Sequence, residues 1–307
     1  MKKISIVVPF YNETDSIDMF FKTITPILEK THYQYEIVCV NDGSSDDTLE
    51  KLLEHKRQIS QIVIIDFSRN FGKEAALAAG LDFATGDGVI PMDCDLQDPP
   101  ELIFDMIKKW EDGFGVVLGK RADRSDDTWM KKTTSSLFYK LSKHLMSVDL
   151  PSNVGDFRLM DRKVVDEIKK LKERTRFMKG LFAYAGFKTT YVEYKRPERC
   201  AGKTKWNYWK LWNYAIDGIT SFSTVPLKIM SYVGVLITLL AFVRGAWIAC
   251  RALFFGIDVP GYASLMVTML FLGGIQLLGL GIIGEYIGRI YTETKQRPIY
   301  IVKDIIR

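Results

Sequence analysis

Cysteine and histidine are scarce and scattered. Cys39, Cys94, Cys200 and Cys250 form no CxxC pair, and His32, His55 and His144 stand apart from them and from one another. That spacing excludes an ordinary zinc site and a disulfide framework, and it fits a reducing compartment. No Walker A loop and no GxGxxG occurs; the GFGVVLG run from Gly113 has neither the spacing nor the strand context. Kinase and dinucleotide-oxidoreductase chemistry therefore have no phosphate cradle here. There is no GxSxG elbow and no histidine beside an obvious nucleophile, which removes serine hydrolysis. The opening MKKISIVVPF carries two lysines before an apolar stretch, but that stretch breaks at Tyr11-Asn12-Glu13 without a cleavage pattern, so a signal peptide is not expected. The net charge of +5 is a small excess over many acids, a weak basis for nucleic-acid binding.

Charge itself is rare in two long stretches. Residues 229–249 are apolar except for Ser231, Thr238 and Arg244, and 262–283 contain no charge at all. At about 1.5 Å rise per residue each spans roughly 30 Å, the thickness of a hydrocarbon core. A transmembrane hairpin over 227–288 is predicted, with Arg244 snorkelling from late in the first span. Lys203, Lys205, Lys210 and Lys228 precede the first span, and Arg289, Lys295, Arg297 and Lys303 follow the second. The positive-inside rule then puts both flanks in the cytoplasm. The expected organisation is a cytoplasmic domain over 1–200, an interfacial amphipathic segment over 201–226, the hairpin, and a cytoplasmic tail over 289–307. The expected location is the cytoplasmic (inner) membrane, as a multi-pass protein.

The first domain alternates. ISIVVPF, YEIVCVN, QIVIIDF and DGVIPMD read as strands, separated by helical stretches beginning near Thr14, Asp46 and Lys73. Such alternation predicts an α/β fold with a mostly parallel sheet, whose ligands bind at the carboxyl ends of the strands. Polar clusters follow each predicted strand: Tyr11-Asn12-Glu13, Asn41-Asp42-Gly43-Ser44, Ser68-Arg69-Asn70 and Asp93-Cys94-Asp95. One such cluster is a turn; all of them on one edge make a site. In an extended segment Asp93 and Asp95 point the same way, giving paired hard oxygen ligands suited to Mg2+ or Mn2+ carrying a diphosphate. The competing reading is that these aspartates only start the turn leading into Pro99-Pro100 and the next helix; Asp98, ahead of Pro99-Pro100, is the expected helix-entry residue.

VVPFYNE (7–13), VNDGSSDDT (40–48), SRNFGKEAAL (68–77), MDCDLQDPPE (92–101), VLGKR (117–121), GDFRLMDR (155–162) and RCAGKTKW (199–206) occur in that order ahead of the two apolar stretches. Together they resemble the polyprenyl-phosphate branch of family 2 glycosyltransferases, which includes dolichyl-phosphate mannose synthase and the GtrB bactoprenol glucosyltransferases. The resemblance implies a GT-A, Rossmann-like nucleotide-sugar domain. It implies nucleoside contacts from Pro9, Tyr11, Glu13 and Asp42, a metal on Asp93 and Asp95, and donor contacts from Gln97 and Arg121. Asp156 matches the family's catalytic base, with acceptor orientation or a structural turn as alternatives. Arg199, Lys203, Thr204 and Lys205 resemble a phosphate-gripping motif for the lipid acceptor, the alternative being positive-inside anchors. Trp206, Tyr208, Trp209, Trp212 and Tyr214, interleaved with Lys210 and Asn213, suit a helix at headgroup level.

The expected activity is inverting transfer of a hexose, glucose from UDP-glucose, to undecaprenyl phosphate. The same chemistry with GDP-mannose, UDP-GlcNAc or an aminosugar donor is the alternative, ahead of a processive polysaccharide synthase, which no QxxRW motif supports, and of an inactive membrane scaffold. The expected partners are the nucleotide-sugar donor, polyprenyl phosphate and the bilayer, and not nucleic acid. IYIVKDI after Pro298 alternates like a strand and is expected to pair with another subunit, a tetramer by resemblance.

Overall fold

The computed structural model describes residues 2–122, 145, 148, 151, 153–195, 217–255 and 261–307. The N-terminal part folds as β1 (Lys3–Phe10), α1 (Thr14–Glu29), β2 (Gln34–Asn41), α2 (Thr48–Gln58), β3 (Ile62–Phe67), α3 (Lys73–Phe83), β4 (Gly88–Pro91), α4 (Leu102–Glu111) and β5 (Val116–Arg121). It continues through β6 (Val154–Asp161), α5 (Arg162–Lys170), α6 (Met178–Tyr184) and β7 (Thr189–Tyr194). Two long helices, α7 (Val225–Phe255) and α8 (Tyr262–Thr294), precede the closing strand β8 (Val302–Ile306).

The strands form one sheet in the order β7-β5-β6-β4-β1-β2-β3-β8. β4, β1, β2 and β3 run parallel, and β5 pairs parallel with β7. β6 is antiparallel to both β4 and β5. Alternation along β1 divides the core between the sheet's faces. Ile4, Ile6, Val8 and Phe10 meet Phe20, Phe21, Ile24 and Leu28 of α1, while Val7 meets the alanine-rich α3 on the other face. α3 sits so close that a Cβ on Gly80 would lie 2.1 Å from Val7 Cγ1.

The tail strand finds a partner within its own chain, and one expectation is corrected. β8 pairs antiparallel with β3 of its own chain, fixed by Tyr300 stacked on Phe67 and by Ser68 N donating to Ile301 O at 3.1 Å. β8 is the edge strand of the sheet, so one side of its ladder is paired within the chain. Asp98 does not start a helix: it is buried and accepts a hydrogen bond from the Tyr194 hydroxyl, which ties the loop after β4 to β7.

Candidate active site

The parallel strands end on one edge, and that edge gathers most of the predicted residues. Tyr11 and Glu13 follow β1, Asp42 follows β2, Arg69–Gly72 follow β3, and Asp93, Asp95 and Gln97 follow β4. Because β6 runs against β4, its beginning lies beside the end of β4, and Asp156 reaches the same edge. Arg199, Lys203, Thr204, Lys205 and the aromatic run behind them lie outside the described residues.

The segment after β4 is a turn and not extended chain. β4 stops at Pro91, Leu96 adopts φ 53°, and Asp95 Oδ1 accepts from Gln97 N at 3.2 Å. Period-2 alternation therefore does not aim Asp93 and Asp95; a tight Asx-type turn does. A buried leucine in the left-handed region is a strained choice, held by the packing around it.

Asp93 meets a partner that the spacing did not suggest. Lys73, the first residue of α3, places Nζ 2.7 Å from Asp93 Oδ1 and 2.8 Å from Asp156 Oδ2. One ammonium thus bridges the acid after β4 to the acid in β6. Burial pushes the Asp156 carboxyl up, but Lys73, Lys179 and Arg158 outweigh it and hold the group well below the usual carboxylate range. A carboxylate so stabilised is a poor proton acceptor. Its geometry suits orientation and electrostatics better than base catalysis.

Burial, and next the nearby Asp156 charge, raise the Glu74 carboxyl to about 7, although its Oε2 accepts from Met178 N at 2.8 Å. Arg158 is buried, donates to the Gly155 and Asp156 carbonyls and lies against the Phe182 ring. Lys73, Glu74, Arg158 and Lys179 were thus missed by motif reasoning. Lys73 and Glu74 sit in SRNFGKEAAL, directly after a predicted strand, so their place on the edge was a usable signal. Lys179 had none, since α6 reaches the site only through tertiary packing.

Asp42 braces a loop. Its Oδ1 accepts from Phe71 N at 2.6 Å, and its Oδ2 accepts from Gly72 N at 2.9 Å and Asn70 Nδ2 at 3.0 Å. Gly43, at φ +60°, allows the approach, since a Cβ there would lie 2.3 Å from the Arg69 carbonyl carbon. Pro9, next to last in β1, is half-buried, Tyr11 is exposed, and Glu13 accepts from Ser16 Oγ at 3.0 Å. At the far side of the edge, Arg121 bonds the Tyr194 hydroxyl, while its Nε is buried with no hydrogen-bond partner among the described residues.

The donor set fits a hard divalent cation. Burial raises the Cys94 thiol, and the charges of Glu13, Asp93 and Asp95 raise it further, so three acids surround this turn. The Lys73 ammonium on Asp93 shows that a cation is accommodated there. Among the described residues no three His, Cys, Asp or Glu side chains close on one point, so Asp93 and Asp95 would be a partial ligand set.

Residues 5–169 match the model of glycosyl transferase family 2, and residues 225–290 match the GtrB C-terminal hairpin. The chain is 52% identical over 304 residues to the prophage bactoprenol glucosyl transferase homolog of Escherichia coli K12, covering 99% of each chain. It is likewise 52% identical over 303 residues to the bactoprenol glucosyl transferase of Shigella phage SfV, covering 98% of each. Among solved structures, glucosyl-3-phosphoglycerate synthase from Mycobacterium tuberculosis, in complex with Mn2+, UDP-glucose and phosphoglyceric acid, is similar at 19% identity and TM-score 0.48, covering 71% of this chain and 78% of that one. The chain belongs to glycosyltransferase family 2, with a GT-A-type α/β domain and the C-terminal hairpin of the GtrB group.

Proposed function

We propose that the protein transfers glucose from UDP-glucose to undecaprenyl phosphate at the cytoplasmic face of the inner membrane, inverting the anomeric carbon. The observation that carries this reading is the convergence of Asp93, Lys73 and Asp156 on the sheet's carboxyl edge. Relatives named bactoprenol glucosyl transferases, at 52% identity, favour this sugar and this lipid.

The membrane placement has its own support. The windows Val225–Ile248 and Ser264–Thr294 are long and apolar enough to cross a bilayer, and none of either is buried by protein. Phe242 is 79% exposed and Leu277 71%, a cost in water of roughly 25 cal/mol for each Å2 of apolar surface. Hydrocarbon removes that cost. The domain plan of the sequence reading, cytoplasmic through residue 200 with the tail on the same side, belongs to this proposal.

The acceptor's phosphate oxygen attacks the anomeric carbon, the bond from that carbon to the diphosphate oxygen breaks, and UDP departs. A phosphate monoester with a second pKa near 6 is already largely ionised at neutral pH, so no strong base is needed. Asp156, held ionised, positions Lys73, and Lys73 offsets the repulsion between the acceptor phosphate and the donor diphosphate. Mg2+ or Mn2+ on Asp93 and Asp95, when bound, neutralises charge growing on the leaving diphosphate. Pro9, Tyr11 and Glu13 frame the nucleoside, and Asp42 holds the loop beside it. Gln97 and Arg121 face the donor, and Arg199, Lys203, Thr204 and Lys205 grip the lipid phosphate.

The full chain, purified in detergent, is given undecaprenyl phosphate with labelled UDP-glucose, GDP-mannose or UDP-GlcNAc. A lipid carrying one glucose is expected. A polymeric product, or no transfer from any donor, overturns the proposal.

A further inference from the structure

A cavity of about 460 Å3 adjoins the loop that leads into the catalytic cluster without including the cluster's own residues. Its walls bring Arg69 and Phe71, after β3, against Arg174 from the α5–α6 connection and Tyr291, Lys295 and Arg297 at the end of α8. Among its described lining residues four are cationic and none is acidic. The nearby Glu293 carboxylate is engaged by backbone, its Oε1 accepting from Arg174 N at 2.7 Å and Thr175 N at 3.3 Å. Aromatic rings hold two of the cations in place: the Arg69 guanidinium lies 4.0 Å from the Phe71 ring centre and Lys295 Nζ 4.2 Å from that of Tyr291. Neither Lys73, Asp93 and Asp156 nor Pro9, Tyr11 and Glu13 line this space.

We propose that this cavity binds the phosphate headgroup of an anionic phospholipid of the cytoplasmic leaflet. The proposal rests on the membrane placement above. The candidate span of α8 is 31 residues, about 46 Å of helix against a hydrocarbon core of about 30 Å, and its charges, Glu285, Arg289 and Glu293, all lie in its last third. Its last turns therefore stand at headgroup depth, where Tyr291 and basic side chains belong. The volume accommodates a whole headgroup, and clustered guanidinium groups suit a phosphate's bidentate acceptors. The wall formed by Arg69, Asn70, Phe71 and Gly72 is the loop braced by Asp42, and the next residue is Lys73. Lipid in the cavity would thus steady the segment that enters the active site.

Native mass spectrometry of the detergent-purified full chain, titrated with phosphatidylglycerol or phosphatidylcholine, tests this, with thermal stability followed in parallel. Wild type is expected to retain phosphatidylglycerol selectively and to melt higher with it. Two double variants, Arg174→Gln/Arg297→Gln and the exposed Lys295→Gln/Arg297→Gln, should each bind it about 30-fold more weakly, at roughly 1 kcal/mol per cation. Their KM for undecaprenyl phosphate should not change. Equal retention by both variants, equal retention of phosphatidylcholine, or the same stabilisation by inorganic phosphate alone overturns the proposal. So does a raised acceptor KM, which would make the cavity part of the acceptor site. An alkaline carbonate wash separates the two readings: release of wild type from membranes sinks the membrane placement, whereas an integral protein with unchanged variants sinks only the cavity.

Discussion

Lys73→Met removes the ammonium between Asp93 and Asp156 and leaves two carboxylates facing each other. At 2.7 Å and an effective dielectric of about 20, each contact is worth roughly 6 kcal/mol before desolvation and screening. The Lys73 and Asp93 side chains are each 38% exposed, so solvent takes back most of that. About 1–3 kcal/mol remains, between the values for surface and buried pairs. The sign for metal binding is the reverse of the sign for stability. A cation arriving at Asp93 in wild type must displace or tolerate Lys73, whereas in the variant it meets uncompensated negative charge. Mn2+, titrated without nucleotide and followed by the electron paramagnetic resonance of the free ion, should therefore bind the variant about 5- to 150-fold tighter. Without metal the variant should melt lower than wild type, and Mn2+ should raise its melting temperature more. Turnover should fall by on the order of a hundredfold, through loss of the cation that faces the acceptor phosphate. Unchanged or weaker Mn2+ binding would refute the idea that lysine and metal compete for Asp93.

Three further outcomes follow from named contacts. Glu74, raised to about 7 in the fold, contributes stability that is complete below its unfolded value near 4.5 and is lost as pH rises through about 7. Glu74→Gln, which keeps an acceptor for Met178 N, should flatten the melting temperature across that window, and an unaltered pH profile would contradict it. Gly43→Ala forces a Cβ to within 2.3 Å of the Arg69 carbonyl carbon at φ +60°, and should cost on the order of 1–3 kcal/mol in denaturant unfolding while disturbing the Asp42-braced loop. Asp93→Asn and Asp95→Asn should abolish most metal-dependent turnover, whereas Arg199→Ala should chiefly raise the KM for the lipid acceptor, and steady-state kinetics with each substrate varied separates the two.

Much of the site was legible because a parallel sheet exports its chemistry to one edge, so residues directly following apolar runs could be nominated without coordinates. Tyr11, Glu13, Asp42, Asp93 and Asp95 came from that rule. It failed in the detail after β4, where alternation was applied to a segment that turns at Leu96. Asp98 was misjudged for a related reason: its proximity to Pro99-Pro100 suggested a helix start, whereas its partner Tyr194 lies 96 residues away.

The amino-acid sequence alone determined what is periodic or compositional: the strand-helix alternation, the hairpin of charge-poor stretches, and the acids that follow the strands. These depend on neighbours within a few residues or on the solvent a segment can tolerate. Tertiary structure decided which charges meet. Lys73 reaches both Asp93 and Asp156 because β6 runs antiparallel to β4, and the tail pairs with β3 of its own chain across more than 230 residues of sequence. Coulomb energy depends on separation in space, and a chain that folds back on itself makes that separation unreadable from spacing along it.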